Sequence, residues 1–385
     1  MNSVPQKKRI ALLGATGSIG KSSLDIISRN KNDFDVVLLA ARSNGEKLAE
    51  ISKQFPGVKT ILTGVNGADG KLLDAIAEIK PDITINGISG AAGLKPSLAA
   101  INAGSHVALA NKETIVMAGH LVMRLAKEKN VNIIPVDSEH SAIFHLTNAH
   151  AEKNSGVERG LAQASGSLIN EIILTASGGA FRNLSLKEME EATVNDALAH
   201  PTWNMGPKIT IDSASMANKG LEIIEACVLF NMPQEKVKVV IHPQSIVHSM
   251  IRLCSGVVYA QLSKPDMRHP IHDALNWPDT APSALDVLNF DSLILEFYKP
   301  DPDRFPMLTY AWEAAKQGGL YPCAYNAANE TAVAAFLEHK IRFLDIPRIT
   351  EHVLKADWSA GCSNLETVLQ ADSEARSRAA LYIHS

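Results

Sequence analysis

Cysteine is scarce in this chain. Cys227, Cys254, Cys323 and Cys362 are scattered through 385 residues with no C-x-x-C and no paired histidine pattern. A zinc frame and a disulfide scaffold are thereby excluded, and the four read as reduced packing thiols. Long apolar runs are missing too, so no membrane-spanning helix is expected. No basic cluster with interleaved aromatics occurs and the net charge is −4, which argues against a nucleic-acid partner. There is no internal repeat and no low-complexity tract. The first strand is expected near Arg9, which leaves no room for a signal or transit peptide and points to the cytoplasm. What remains is a globular chain, 46% hydrophobic and 20% charged, long enough for two or three domains.

A short apolar strand at residues 9–13 runs into Gly14-Ala15-Thr16-Gly17-Ser18-Ile19-Gly20, and a helix follows. Glycines let the backbone approach a pyrophosphate, and the helix start favours its charge. After the second strand, residues 35–40, stands Ala41-Arg42-Ser43, where an NAD-specific fold usually places an acidic residue. A guanidinium beside a hydroxyl suits a 2′-phosphate, hence NADPH, unless Arg42 is only a solvated surface cation. Further strands are predicted at 59–62, 83–86, 106–110 and 132–136, with helices at 46–53, 71–79, 94–103 and 114–129. That alternation means a parallel, doubly wound sheet with ligand groups at the carboxyl ends of its strands. Asn86-Gly87-Ile88-Ser89-Gly90 and Asn111-Lys112-Glu113 fall there.

So does Pro135-Val136-Asp137-Ser138-Glu139-His140. If the strand period persists, Asp137 and Glu139 point the same way and suit Mg²⁺ or Mn²⁺. The competing reading is a helix start, with Ser138 as cap and Glu139 in the first turn.

Beyond Phe144 the character changes. Residues 151–166 form a polar connection, and a strand at 172–176 ends in Ser177-Gly178-Gly179, a turn able to wrap N–H groups around an anion. Residues 180–207 hold a short helix at 185–192 and close with His200-Pro201-Thr202-Trp203-Asn204-Met205-Gly206-Pro207, which reads as a lid unless Trp203 is buried against the sheet. A strand is predicted at 208–211, then Ser213 and a helix from about Ser215. On that helix Asn218 and Glu222 share a face and Lys219 stands three residues before Glu222, as a site or as an ordinary ion pair. Strands at 236–241 and 257–262 flank His242-Pro243-Gln244-Ser245, in a partly exposed sheet that suits pairing across a dimer. Prolines mark 265–303 as a connector. From Leu308 onward the spacing is helical, and its one polar motif is Asn326-Ala327-Ala328-Asn329-Glu330.

Taken in order, these seven motifs resemble the 1-deoxy-D-xylulose 5-phosphate reductoisomerases: the glycine turn, Ala110–Glu113, Pro135–His140, His200–Gly206, Asn218–Glu222, His242–Ser245 and Asn326–Glu330. The resemblance implies an NADPH-dependent homodimer of the non-mevalonate isoprenoid route. It would rearrange a ketose phosphate and reduce the product to 2-C-methyl-D-erythritol 4-phosphate. It also implies an α/β chain: a doubly wound NADPH-binding domain (1–137), a central α+β catalytic and dimerisation domain (138–264) with a flexible lid (178–207), the connector 265–303, and a C-terminal helical bundle (304–385). By resemblance Asp137, Glu139 and Glu222 hold the divalent metal. Ser177, Ser213, Asn218, Lys219 and His200 hold the phosphate, Trp203 covers the substrate, and Ser138 and Lys112 reach its hydroxyl and carbonyl end. Lys112 joins the three carboxylates as catalytic. Thr16, Gly17, Ser18, Ile19, Asn111, Glu113 and Gly206 contact the cofactor, as do Ala41, Arg42 and Ser43. The last three depart from the Gly-Lys-Asn of familiar relatives, although the cation is kept.

Two other classes share parts of this pattern. A semialdehyde dehydrogenase needs a nucleophilic cysteine, yet Cys227 lies in an apolar helical run. An NADPH-sensing regulator needs no metal site.

Overall fold

A computed structural model describes residues 7–65, 68–150 and 168–384. The expected polar connection at 151–166 lies outside the described residues.

The first half is the predicted alternation. Its elements are β1 (Lys8–Leu13), α1 (Ser18–Arg29), β2 (Phe34–Ala41), α2 (Gly45–Ser52), β3 (Lys59–Leu62), α3 (Ala68–Ile79), β4 (Ile83–Asn86), α4 (Leu94–Asn102), β5 (His106–Leu109), α5 (Lys112–Lys129) and β6 (Ile133–Pro135). The six strands pair in parallel in the order β3-β2-β1-β4-β5-β6. Helices cover both faces, so the central strands are buried without alternation, as Ile10–Leu13 and Ile83–Asn86 are, the latter with Thr84 and Asn86 buried too. The order reverses beside β1, and the crevice at that switch point is where such folds bind ligands.

Next come α6 (Ser138–Ala149), β7 (Ile169–Ala176), α7 (Leu186–Glu191), α8 (Val194–Leu198), α9 (Pro207–Ala214), α10 (Ala217–Leu229), β8 (Val237–Ile241), β9 (Val247–Leu253) and β10 (Val258–Leu262). The order of the second sheet is β10-β9-β7-β8, with β7 and β8 parallel and the other pairs antiparallel. The chain then forms α11 (Arg268–Asn276), α12 (Pro306–Gln317), α13 (Tyr321–Leu337), α14 (Asp345–Leu354) and α15 (Leu365–His384). The α/β reading therefore stands: a doubly wound domain, a mixed-sheet domain and C-terminal helices.

Several local expectations are corrected. Residues 208–211 form the first turns of α9, not a strand, because Pro207 at the first helical position fixes a helical φ and Gly206 caps it. The strand period does not carry through Asp137, which is the N-cap of α6 with Glu139 in its first turn. The helix-start reading is thus right about backbone, but the cap is Asp137 rather than Ser138. The connector contains α11, whose Pro270 falls in the first turn where no N–H partner is lost. α11 packs on α1, and Lys8 Nζ donates to the carbonyls of Leu275, Asn276 and Trp277 at its C-terminal end (3.0, 3.3 and 3.1 Å). The segment expected to be a lid holds α7 and α8, each closed by a capping box (Ser185 with Glu188, Thr193 with Asp196). Phe181 and Met189 from it are fully buried, and its longer irregular stretches are residues 178–185 and 199–206.

Candidate active site

One cavity lies between the carboxyl ends of β1, β4 and β5 and the loops of the second sheet. Gly17, Ser18, Ile19, Gly206 and Glu113 line it, as do Lys112, Asp137, Ser138, Glu139, Ser177, His200, Trp203, Ser213, Asn218 and Lys219. Residues from six of the seven motifs thus meet in one place, Ser245 of the His242–Ser245 motif among them. Thr16, Asn111, Ala41, Arg42, Ser43 and Glu222 do not line it. Glu222 is fully buried beneath its floor. Ala41 is buried at the end of β2, with Arg42 and Ser43 exposed beyond it.

The glycine turn is built for close approach. Gly14 has φ +82°, and a Cβ there would stand 2.6 Å from the carbonyl oxygen of Gly87. At Gly20 it would stand 2.4 Å from the Ala15 oxygen. α1 begins at Ser18 with no side chain capping it, so its first N–H groups are open to an anion.

The floor is ionic. Lys112 Nζ donates to Glu222 Oε1 and Asn218 Oδ1, both at 3.0 Å, and pairs with Asp137. Lys219 Nζ donates to Glu139 Oε1 at 2.7 Å and pairs with Glu222. Asn218 Nδ2 donates to Glu222 Oε1 at 2.6 Å, and Ser138 Oγ to Glu139 Oε2 at 2.6 Å. Burial works against the Lys112 charge, but Asp137 and Glu222 outweigh it and hold the pKa well above the ordinary lysine value. Burial and then the Glu139 charge push Glu222 up, while burial of Asp137 is overcome by Lys112 and its carboxyl titrates far below normal.

Beneath this layer lies a pair that the sequence did not reveal. His140, fully buried, has Nδ1 3.3 Å from Glu225 Oε2 and 3.8 Å from Asp137 Oδ2, and Nε2 3.0 Å from the Glu222 carbonyl oxygen. Burial disfavours its charge, yet Glu225 and Asp137 raise its pKa to about 9, while burial lifts Glu225 to about 7. The tightest cluster of ligand atoms is Asp137, His140 and Glu222, all within 4.8 Å of one another. His140 is the least free of the three, because its Nε2 faces the Glu222 carbonyl oxygen and its Nδ1 also faces Glu225. Glu139 stands off that cluster in the hold of Lys219. Both carboxylates take the Lys219 ammonium, and the Glu139 charge helps to raise the Glu222 pKa.

At the other end, Gly178 and Gly179 have φ +84° and +68°. Gly179 N–H donates to Ser177 Oγ at 3.2 Å, and Arg182 Nη1 to the Ser177 carbonyl at 2.6 Å. His200 Nδ1 accepts from the backbone N–H of Thr202 and Trp203 (3.1 and 2.8 Å), so its proton is on Nε2, 3.0 Å from Ser177 Oγ. Burial and then Arg182 hold the His200 pKa below the ordinary value. Trp203 is half-buried and lines the cavity, so it is not sealed against the sheet. The sequence also did not reveal Lys208, whose Nζ lies 2.8 Å from both Glu113 Oε1 and Asp212 Oδ2, nor Met216 and His248 in the cavity wall. Cys227 is half-buried in α10, and burial lifts its thiol to about 12, so it is no nucleophile.

Comparison with known proteins matches three family descriptions along the chain. They are "1-deoxy-D-xylulose 5-phosphate reductoisomerase" at residues 10–66 and 59–119, the C-terminal domain of that enzyme at 133–230, and "DXP reductoisomerase C-terminal domain" at 262–378. Proteins named 1-deoxy-D-xylulose 5-phosphate reductoisomerase from Chlorobium chlorochromatii and Treponema denticola are each 45% identical, covering 98% and 96% of this chain and 100% and 96% of theirs. The crystallised Zymomonas mobilis enzyme in complex with NADPH superposes with a TM-score of 0.85 at 41% identity, over 99% of this chain and all of that one. A DOX-P reductoisomerase bound to NADPH, fosmidomycin and magnesium gives 0.86 at 36% identity over 98% of each chain.

Proposed function

The chain belongs to the 1-deoxy-D-xylulose 5-phosphate reductoisomerase family, and from that premise we propose how its own residues divide the work. It is an NADP-dependent oxidoreductase that converts 1-deoxy-D-xylulose 5-phosphate to 2-C-methyl-D-erythritol 4-phosphate. The observation that carries the residue-level reading is the single cavity joining an anion-binding glycine turn, a buried carboxylate cluster and a serine–diglycine turn.

NADPH fits the first of these, since the Gly14 and Gly20 contacts leave backbone where a side chain would block a pyrophosphate. Arg42 at the end of β2 is the candidate partner of the 2′-phosphate. A hard divalent cation, Mg²⁺ or Mn²⁺, fits the second: Asp137, Glu139 and Glu222 offer oxygens, and Lys112 and Lys219 answer only part of their charge. When bound, the cofactor supplies a hydride and the cation a Lewis acid for the substrate's carbonyl and hydroxyl oxygens.

The remaining duties fall to the chain. Lys112 is held protonated by its carboxylates, so it acts as a hydrogen-bond donor to substrate oxygen and not as a base. Ser138 donates beside it. Ser177, Ser213, the Gly178–Gly179 turn and neutral His200 bind the phosphate, with Asn218 and Lys219 between that end and the carboxylates. Trp203, on the irregular segment 199–206, closes over the substrate and excludes water.

A homodimer belongs to the same reading. It is supported by the edge strand β10, where Val258 and Tyr259 are 40% and 43% exposed beside exposed Val257. A cytoplasmic location is supported by four unpaired thiols, and no helix among the described residues is long and apolar enough to cross a membrane. Incubation with the ketose phosphate, NADPH and Mg²⁺, followed by NMR of the products, tests the activity. The branched methylerythritol phosphate is expected, and recovery of unchanged substrate overturns the reading.

A further inference from the structure

The C-terminal helices carry one polar motif that the reaction leaves unused, Asn326-Ala327-Ala328-Asn329-Glu330 on α13. Its side chains reach out of their own domain. Glu330 Oε1 accepts the backbone N–H of Ala91 at 3.0 Å and the Asn326 amide at 3.1 Å. Its other oxygen takes Arg376 Nη2 at 2.7 Å, and Asp372 clamps that guanidinium at 2.8 and 2.9 Å. Ala91 opens a short 3-10 helix, Ala91–Gly93, which no local side chain caps. Glu330 therefore acts as its cap from 239 residues away. It sits tightly on the turn, since a Cβ on Gly90 would come within 3.0 Å of Glu330 Oε1.

The opposite side of this turn, Gly87, Ile88 and Ser89, is cavity wall. The wall lies between the glycine turn, where a Cβ on Gly87 would stand 3.1 Å from Ile19 Cβ, and the start of α5. Asn111 ties these together, its Nδ2 donating to the Gly90 carbonyl and to Glu113 Oε2 at 2.9 Å each. One residue before Glu330, Asn329 Nδ2 donates to Asp212 Oδ1 at 2.8 Å, and Asp212 shares the Lys208 ammonium with Glu113. A single turn of α13 thus fixes the cavity wall at two points, through the turn after β4 and through α9.

We propose that Glu330 is a positioning residue for the cofactor: by capping Ala91 it sets the 87–90 turn along which NADPH runs from the glycine turn toward Lys112. The inference rests on the reading that NADPH occupies this half of the cavity. A carboxylate suits the task because each oxygen meets a different donor, and Arg376 fixes which way it faces.

The test is NADPH titration of the chain without substrate, read by nicotinamide fluorescence, with steady-state kinetics beside it. Saturable binding by the unsubstituted chain checks the cofactor reading, and its absence would sink that reading before any variant is made. Glu330→Ala is expected to raise the NADPH Kd, and the KM for NADPH with it, roughly tenfold, the ratio for one buried hydrogen bond lost. The ketose phosphate KM and kcat should stay within about twofold, a split that general loss of structure does not produce. Glu330→Gln keeps the shape but offers one carbonyl where Ala91, Asn326 and Arg376 all donate, so a rise of roughly threefold is expected for the weakened cap. An unchanged Kd in Glu330→Gln overturns the proposal even if Glu330→Ala does not fold. So does a shift of kcat and both KM values together.

Discussion

Replacing Lys112 by Met tests the ionic floor most severely. The methionine stem fills most of the same volume, so packing is nearly conserved and the change isolates the ammonium. That group donates to Asn218 Oδ1 and Glu222 Oε1 at 3.0 Å and pairs with Asp137. Its side chain is 5% exposed and that of Glu222 is 0%, so solvent cannot replace it. Removing one member of a buried pair costs about 3–5 kcal/mol, mostly from the charge left behind. The loss should be read as a shift in the denaturant midpoint at constant slope. The double variant with Glu222→Gln removes the stranded anion, so its cost should fall short of the sum of the single changes by about 0.5–3 kcal/mol. Lys112→Met should also lose turnover while still binding NADPH, because Lys112 sits at the carboxylate end of the cavity. Additive costs within about 0.5 kcal/mol would refute the reasoning, since they would mean the two groups do not depend on each other.

Three further outcomes are expected. Arg42→Asp should erode the preference for NADPH over NADH by about 1.5–3 kcal/mol in kcat/KM, the worth of a charged hydrogen bond, and equal use of both cofactors by the unsubstituted chain would defeat the assignment. Gly220→Ala should destabilise the fold by about 1–3 kcal/mol, because its Cβ would lie 2.3 Å from Tyr325 Oη and 3.0 Å from Ala311 Cβ where α10 packs on α12 and α13; thermal melting with no loss would show that the helices can part. The raised pKa of His140, 6.5 to about 9, gives stability that is fully present below pH 6.5 and is lost as pH rises through 9, on the order of 3 kcal/mol. His140→Gln should flatten the stability curve over that window, and an unaltered slope there would remove His140 as its cause.

How much of this was legible in the sequence depends on the range of the forces involved. The parallel sheet was readable because buried strands such as Ile10–Leu13 and amphipathic helices alternate at regular spacing. Most motifs expected at the site reach the cavity or its floor, since each is anchored at an element end, but Ala41-Arg42-Ser43 lies off it. The mistakes were local and ambiguous. Lys-Ile-Thr-Ile at 208–211 alternates like a strand, and only Pro207 argued for a helix start. β9 was hidden behind His242-Pro243-Gln244-Ser245, which drew the eye as a loop. Arg268–Asn276 was submerged in a proline-rich stretch. The His140–Glu225 pair and the grip of Glu330 on Ala91 join residues 85 and 239 positions apart, and no periodicity encodes such pairings.

The most direct test of the account follows the nicotinamide absorbance when the chain is mixed with NADPH, the ketose phosphate and Mn²⁺, in parallel with Asp137→Asn and Glu222→Gln. The account predicts a substrate-dependent fall in absorbance for the unsubstituted chain. Chelator should abolish it and added Mn²⁺ restore it. It also predicts no fall for either variant, although both still bind NADPH. Full turnover by Asp137→Asn or Glu222→Gln, or turnover that persists in excess chelator, would contradict it.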